Sequence, residues 1–288
     1  MKTVKRTLAI VSLLSGMVAG TAVANAADAK LNAMLPEKIK TTGVVRVASD
    51  FPFPPYEFMD KDNKLTGFEY DLSQAAGELL GVKFEWQKQP FDGILPGLAA
   101  GNYDLAWSSI TDKTQRQKIV DFVDYAVGQG GILMKKGAGL KGKADLCGLK
   151  ISTQKGGTGE KDIQDLSAKC VQLGKKAAEP VLYPSSTEAE LAIKSGGADA
   201  MLSDAAGLAY IAQTVDGGKA YDFSVYTDFE NPRFPLGVAV PKNNNQLRDA
   251  MQAALQALID NGTYAKIMDK YDIKALSVDK ITINAAIK

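Results

Sequence analysis

Short apolar runs alternate with amphipathic stretches along this chain, and several of the stretches close on a glycine. Few folds accept that rhythm. Val44-Val45-Arg46-Val47-Ala48 reads as a buried strand between Gly43 and Asp50. A Pro-rich loop from Phe51 to Tyr56 follows. Phe68 to about Leu80 reads as a helix stopped by Gly81, and Val82 to Trp86 alternates like a second strand. Phe91 falls in a loop, Ile94 to Ala100 is helical and ends at Gly101, and Asp104 to Trp107 is a third strand. This order predicts an α/β chain whose sheet is parallel, with helical crossovers.

The pattern then restarts. Leu149 to Thr153 reads as a strand running into a Gly-rich turn, Lys155 to Gly159, with a helix from about Glu160 to Leu173. Pro180 to Tyr183 is a strand, Glu188 to Lys194 a helix, Ala198 to Leu202 another strand, and Leu236 to Val240 a late one. A helix carrying Leu247, Met251, Leu255, Leu258 and Ile259 on one face stops at Asn261-Gly262. One more helix runs from around Tyr264 to Tyr271. Residues 99–109 can be laid over residues 194–204: helix end, Gly turn, Asp104 or Asp199, apolar strand, then polar residues. This predicts two similar lobes, each offering a strand-end loop to a shared cleft, because open α/β sheets bind ligands at the carboxyl ends of their strands. Two ordinary helix–strand units would also look alike.

Lys2, Lys5 and Arg6 precede an uncharged run from Leu8 to Val23, and Ala24-Asn25-Ala26 supplies small residues where a signal peptidase reads. Residues 1–26 are expected to be a cleaved signal peptide, which puts the mature chain in the periplasm or its equivalent. The run is short for a membrane anchor and rich in small residues. Charge is balanced, with 34 Lys and Arg against 33 Asp and Glu, so a nucleic-acid partner has no electrostatic footprint here. The chain has no His, which removes the commonest general base and transition-metal ligand, and no cofactor is expected. Cys147 and Cys170, in an exported chain, read as one disulfide. It would close a loop of ~23 residues, worth on the order of 3 kcal/mol. Two free thiols or a metal site are the alternatives, the latter poor without His.

The strand ends collect a distinctive set of side chains. The first strand leads to Asp50, Phe53 and Tyr56; the third leads to Ser108, Ser109 and Thr111, with Arg116 soon after. The second half offers Gln154, Gly156-Gly157-Thr158 and Asp204, and Phe91 precedes a helix. These types suit a zwitterion. Arg116 presents a fork that matches a carboxylate in bidentate fashion. Thr158 and the backbone N–H groups of its turn can complete that shell at a helix start. Asp204 offers an acceptor to an ammonium, and Phe53 and Phe91 can clamp a side chain. Taken singly, each has a plainer account: Arg116 in a solvated turn, Asp204 as the cap of a helix from Ala205 to Ala212, Phe53 in packing. The 155–159 turn lacks the Gly-Lys-Ser/Thr order of a phosphate loop.

The whole chain after residue 26 resembles the polar-amino-acid substrate-binding proteins of ABC importers, the bacterial extracellular solute-binding family 3. The resemblance rests on Pro54-Pro55-Tyr56-Glu57-Phe58, Gly67-Phe68-Glu69-Tyr70-Asp71-Leu72, Phe91-Asp92-Gly93-Ile94-Leu95-Pro96-Gly97-Leu98 and Gly101-Asn102-Tyr103-Asp104. It continues through Thr111 to Arg116, Val120-Asp121-Phe122, Gln154 to Gly159, Ala198-Asp199-Ala200 with Asp204, Pro235 to Val240, and Asp260-Asn261-Gly262-Thr263-Tyr264. It implies a two-lobe, type II periplasmic binding protein whose two crossover strands act as a hinge. The chain would enter the second lobe near Val127–Gly130 and return near Pro232–Leu236, giving a discontinuous lobe 1 (residues 27–130 and 235–288) and a lobe 2 (131–234). It implies Arg116 on the ligand carboxylate beside Ser108, Ser109 and Thr111, Thr158 and Gln154 from the Gly-rich turn, Asp204 on the ammonium, Phe53 and Phe91 as walls, and Asp50 as the side-chain selector. The chain departs from the family's commoner Pro-Glu type between Thr111 and Arg116, carries Ser108 where a small apolar residue is usual, and has the bulky Trp107 before it.

The expected function is capture of a free polar or cationic amino acid by cleft closure and delivery to membrane permease subunits, by a monomer that is not an enzyme. Three other classes compete. A periplasmic enzyme of this fold, such as a cyclohexadienyl dehydratase, would need an acid or base beyond those a zwitterion uses. A receptor sensor domain would be expected to carry a membrane segment after Lys288, and a structural protein would show repeats.

Overall fold

Glycine sets where two of the long helices stop. Gly81 sits at φ +69° and returns its N–H to the Gly77 carbonyl, and Gly196, at φ +82°, does the same to Ala192 and Ile193. Both backbones are left-handed, a conformation that favours a residue without Cβ. The structure, a computed structural model, describes residues 27–139, 143–225 and 233–286. The expected signal peptide lies outside the described residues.

Helices α1 (Ala29–Met34) and α2 (Glu37–Thr42) precede strand β1 (Val44–Ser49). The hairpin β2 (Phe58–Met59) and β3 (Leu65–Thr66) leads into α3 (Phe68–Leu80), β4 (Lys83–Lys88), α4 (Phe91–Ala99) and β5 (Leu105–Ala106). Strands β6 (Val120–Gly128) and β7 (Gly130–Lys135) follow, with only Gln129 between them. Next come β8 (Lys150–Gln154), α5 (Thr158–Gln172), β9 (Glu179–Tyr183), α6 (Ser186–Ser195), β10 (Ala200–Asp204), α7 (Ala205–Thr214) and β11 (Tyr221–Ser224). The described chain closes with β12 (Phe234–Pro241), α8 (Asn245–Asp260), α9 (Thr263–Lys270) and β13 (Thr282–Ile283).

The strands form a six-stranded sheet in the order β13-β6-β12-β5-β1-β4 and a five-stranded sheet in the order β11-β7-β10-β8-β9. Strand β1 runs parallel to β4 and β5, and β8 parallel to β9 and β10, as the helical crossovers require. The sheets are nevertheless mixed. Strand β12 is antiparallel to β5 and β6, and β7 is antiparallel to β10 and β11. The reason is connectivity: β6 and β7 are one extended run that leaves the first sheet and enters the second at Gln129, with no helix to reverse it. The chain returns between Ser224 and Phe234; Pro232, where the return was expected to begin, lies outside the described residues.

Each sheet buries apolar side chains on two faces. In the first, α3, α8 and α9 cover one face through Leu72, Ala76, Leu80, Leu247, Met251, Leu255 and Met268, while Ile94 and Leu98 of α4 pack on the other with Ile110 and Phe122. Full burial of a side chain such as Leu72 stabilises by roughly 1.5–3 kcal/mol. Trp107 is wholly buried among Phe84, Trp86 and Tyr125, so its bulk fills the core. Cys147 and Cys170 are bonded, tying the segment before β8 to α5.

The internal likeness is structural. Asp104 accepts the Arg46 N–H of β1 at 2.9 Å, and its own N–H donates to the Arg46 carbonyl at 3.0 Å. Asp199 repeats the pair on Lys150 of β8, at 2.8 Å and 2.8 Å. Each Asp thereby docks the following strand, β5 or β10, beside its partner, and the polar residues that come next leave the same end of each sheet.

Candidate ligand-binding site

Those strand ends meet. Asp50 follows β1, Ser108 and Ser109 follow β5, Gln154 ends β8, and Asp204 ends β10. Together with Phe53, Phe91, Thr111, Arg116 and Thr158 they line one cavity of about 40 Å³, room for a few water molecules. Every ligand residue expected from the sequence is in this lining. So are Thr153, Ser203, Phe234 and Leu236, which were not expected. Ser203 was within reach, since the internal likeness pairs it with Ser108. Phe234 and Leu236 arrive with the returning strand β12, which sequence spacing alone does not aim at a cleft.

Local chemistry explains how the helix starts reach the cavity. Helix α4 begins at Phe91, three residues before the expected start, so Phe91 is a first-turn residue and not a loop residue. Helix α5 begins at Thr158, with Gly157 as its N-cap, which brings Thr158 and first-turn N–H groups that have no partner within the helix to the cavity edge. Helix α6 starts at Ser186 because the Ser185 hydroxyl accepts the Glu188 N–H at 3.2 Å. Asp204 caps α7, its Oδ1 accepting from Ala206 N–H at 2.9 Å and Gly207 N–H at 3.4 Å. The cap and the cavity position therefore coincide in one residue.

The polar groups already engage one another between the two sheets. Arg116 donates from Nη1 to the Thr111 carbonyl at 2.9 Å and from Nη2 to the Gly156 carbonyl at 2.9 Å. Its guanidinium lies 5.6 Å from the Phe91 ring centre. Burial lowers its pKa to about 10, against the pull of Asp112, so it stays charged at neutral pH. Gln154 donates its side-chain amide to Asp50 Oδ2. Burial pushes the Asp50 carboxyl up, while Gln154 and Lys88 hold it down. At the rim, Lys155 pairs with Asp92 at 2.9 Å, an exposed contact of small energetic weight.

Behind the strand ends lies a buried carboxyl pair. Glu57 accepts from the Ser108 hydroxyl at 3.1 Å, and Glu69 accepts the Ser109 N–H at 2.9 Å and the Tyr125 hydroxyl. Ser109 is held at φ +47°, a strained position for a residue with a side chain. Burial drives both carboxyls up, Glu69 to about 7 and Glu57 well above the carboxylate range, with the neighbouring charge adding to Glu57. Neither lines the cavity; both support the residues that do.

A second cavity, of about 420 Å³, adjoins the first and shares Asp50, Phe53 and Gln154 with it; Lys88, Ser186 and Glu188 line its far side. Among the described residues no group of His, Cys, Asp and Glu could hold a metal ion, and no helix is long and apolar enough to cross a membrane.

Comparison with known proteins places this architecture. The chain is similar to an arginine-binding protein of Corynebacterium glutamicum, 32% identical over 259 residues, covering 88% of this chain and 83% of that one. It superposes on an ancestral arginine-binding protein bound to arginine with a TM-score of 0.69 at 33% identity, covering 80% of this chain and 98% of the other. It also matches an ancestral amino-acid-binding protein described as a precursor of cyclohexadienyl dehydratase, with a TM-score of 0.71 at 31% identity, covering 81% and 97%. The fold is the two-unit α/β architecture of the type II periplasmic binding proteins. Residues 45–274 match the bacterial extracellular solute-binding proteins, family 3, and the chain belongs to that family.

Proposed function

We propose that this protein captures a cationic amino acid, arginine being the best fit, by closing its two sheets over the cleft, and hands it to the permease subunits of an ABC importer. The observation that carries the reading is the convergence of Arg116 and Asp204 on one cavity from different sheets. A donor fork and a carboxylate are the complements of an amino acid's two head groups. On this reading lobe 1 comprises residues 27–130 and 235–288, lobe 2 comprises 131–234, and the hinge is formed by the crossings at Gln129 and before Phe234. A ligand carboxylate replaces the Gly156 carbonyl on Arg116 with Thr158 and the α5 start alongside. Ser108, Ser109 and Thr111 hold the carboxylate side, and Phe53 and Phe91 wall the side chain.

The choice of a cation follows from Asp50. It lies between the two cavities and holds the Gln154 amide. A long side chain ending in a positive group can displace that amide and continue toward the larger cavity. Two of the three proteins named above favour the same ligand, one being arginine-binding by name and the other carrying bound arginine.

The enzyme reading finds less support. The two carboxyls raised to about 7, Glu69 and Asp124, are buried and absent from the cavity lining, and the two raised carboxyls that do line it, Asp50 and Asp204, are already held by Gln154 and by Tyr56 with the start of α7. Turnover of prephenate or arogenate by the purified protein would reverse this. The family is extracellular by description, and a periplasmic location with cleavage after Ala26 follows on this reading.

The experiment is a thermal-shift screen of the twenty amino acids on protein unfolded and refolded to strip bound ligand. Arginine at about 100 times Kd should stabilise by ~2.7 kcal/mol. No shift with any amino acid would overturn the proposal.

A further inference from the structure

One buried hydroxyl that joins the two sheets lies outside the cavity lining. Tyr56 sits in the turn after β1 and is wholly buried. Its ring stacks on Phe53 at 5.2 Å and packs obliquely on Phe68 at 4.9 Å. Its backbone N–H donates to the Phe53 carbonyl at 2.9 Å. Packing on both sides and a tethered backbone leave the ring one orientation. In that orientation its hydroxyl donates to Asp204 Oδ1, reaching from the turn of the first sheet to the end of the second.

The consequence falls on Asp204. Oδ1 now accepts from the Tyr56 hydroxyl and from the Ala206 and Gly207 N–H groups. Oδ2 is buried and accepts no hydrogen bond among the described residues. The two oxygens are therefore unlike: Oδ1 is saturated by cap and tyrosine, whereas Oδ2 lies against the β6–β7 crossing at Gly128, where the Gln129 backbone N–H also favours the charged carboxylate, and keeps acceptor capacity for an incoming donor. The start of α7 is pressed against the same aromatic pair. A Cβ added at Gly207 would stand 3.0 Å from the Phe53 ring, so helix, ring stack and carboxylate are mutually fixed.

We infer that Tyr56 is a positioning residue for the head-group site: by occupying Oδ1 from the opposite sheet it locks the rotation of the Asp204 carboxylate and leaves Oδ2 as the acceptor for the ligand's ammonium. This deepens the amino-acid reading above and rests on it. It also assigns Tyr56 a job the head-group residues do not share, since Tyr56 itself touches no ligand.

The test pairs one variant with two ligands. Tyr56→Phe removes a single oxygen from a ring held by packing. Calorimetry compares arginine with the analogue that lacks the α-amino group, on wild-type and variant. Loss of a hydrogen bond to a charged group corresponds to about tenfold or more in affinity. Arginine binding should weaken by about tenfold in Tyr56→Phe, and binding of the analogue should change by less than about twofold. Equal losses for both ligands would mean that Tyr56 merely supports the fold and would overturn the inference, as would arginine binding that does not change. Wild-type protein that fails to bind arginine or any other amino acid would instead overturn the amino-acid reading itself.

Discussion

Arg116 donates to the carbonyl of Gly156 at 2.9 Å, a bond that runs from the segment after β5 to the turn after β8. The Arg116 guanidinium is therefore engaged with the opposite sheet, alongside Gln154 on Asp50 and Tyr56 on Asp204. On the proposed reading, a ligand that enters exchanges the Arg116–Gly156 and Gln154–Asp50 bonds for its own and keeps the Tyr56–Asp204 bond. Only contacts absent from the open form drive closure, and on the proposed reading the ligand's own bonds, made across both sheets, are of that kind.

Asp50 should decide the class of side chain. Replacing it by Asn removes the charge and keeps the shape. We expect Asp50→Asn to weaken arginine binding at least ~10-fold, a buried charge pair being worth 2–5 kcal/mol when one partner is lost, and to leave glutamine binding within a few-fold. Parallel calorimetry with both amino acids checks it. Equal loss for both would place selectivity elsewhere.

Glu69 should make stability fall with rising pH. Its folded pKa of about 7 lies above the ordinary carboxyl value of 4.5. Between those values the folded protein binds a proton that the unfolded chain does not, so stability is fullest below about pH 4.5 and is lost as pH rises through about 7. Asp124, also raised to about 7 by burial, has the same sign. Glu69→Gln keeps an acceptor for Ser109 and Tyr125 but removes the titration. Urea melts at pH 5 and pH 8 should show the wild-type loss shrink by roughly 1–3 kcal/mol in that variant. An unchanged slope would contradict the assignment.

The Cys147–Cys170 bond spans 23 residues and should contribute on the order of 3 kcal/mol through the unfolded chain. Replacing both cysteines by Ser should lower the melting temperature by roughly 6–12 °C. The bond ties the segment before β8 to the far end of α5, away from the cavity lining, so arginine affinity should stay within about twofold. A large loss of affinity would show that the bond shapes the site.

Much of this arrangement was legible in residue order, and the failures have physical causes. The parallel cores around β1 and β8 are framed by turn glycines and by Asp104 and Asp199, whose side chains repeat the same docking bond. Strands β6 and β7 were invisible as strands because burial on both faces erases alternation, and because Asp121 and Asp124 sit inside the run while staying buried or paired. Helix starts were read two or three residues late at Phe91, Thr158 and Ser186, where Gly157 and Ser185 set the boundary before any apolar period begins. The site residues assembled as expected because they follow strand ends, which topology brings together. Tyr56 escaped attention as a positioning group because its partner lies 148 residues away, a separation no local pattern reports.

The central claim is that Arg116 holds the carboxylate of an amino acid. Titrating refolded wild-type protein and Arg116→Ala with arginine in a calorimeter tests it most directly. Wild-type protein should show saturable one-to-one binding, and the variant a loss of at least ~30-fold, about 2 kcal/mol. Near-normal affinity in Arg116→Ala would contradict it.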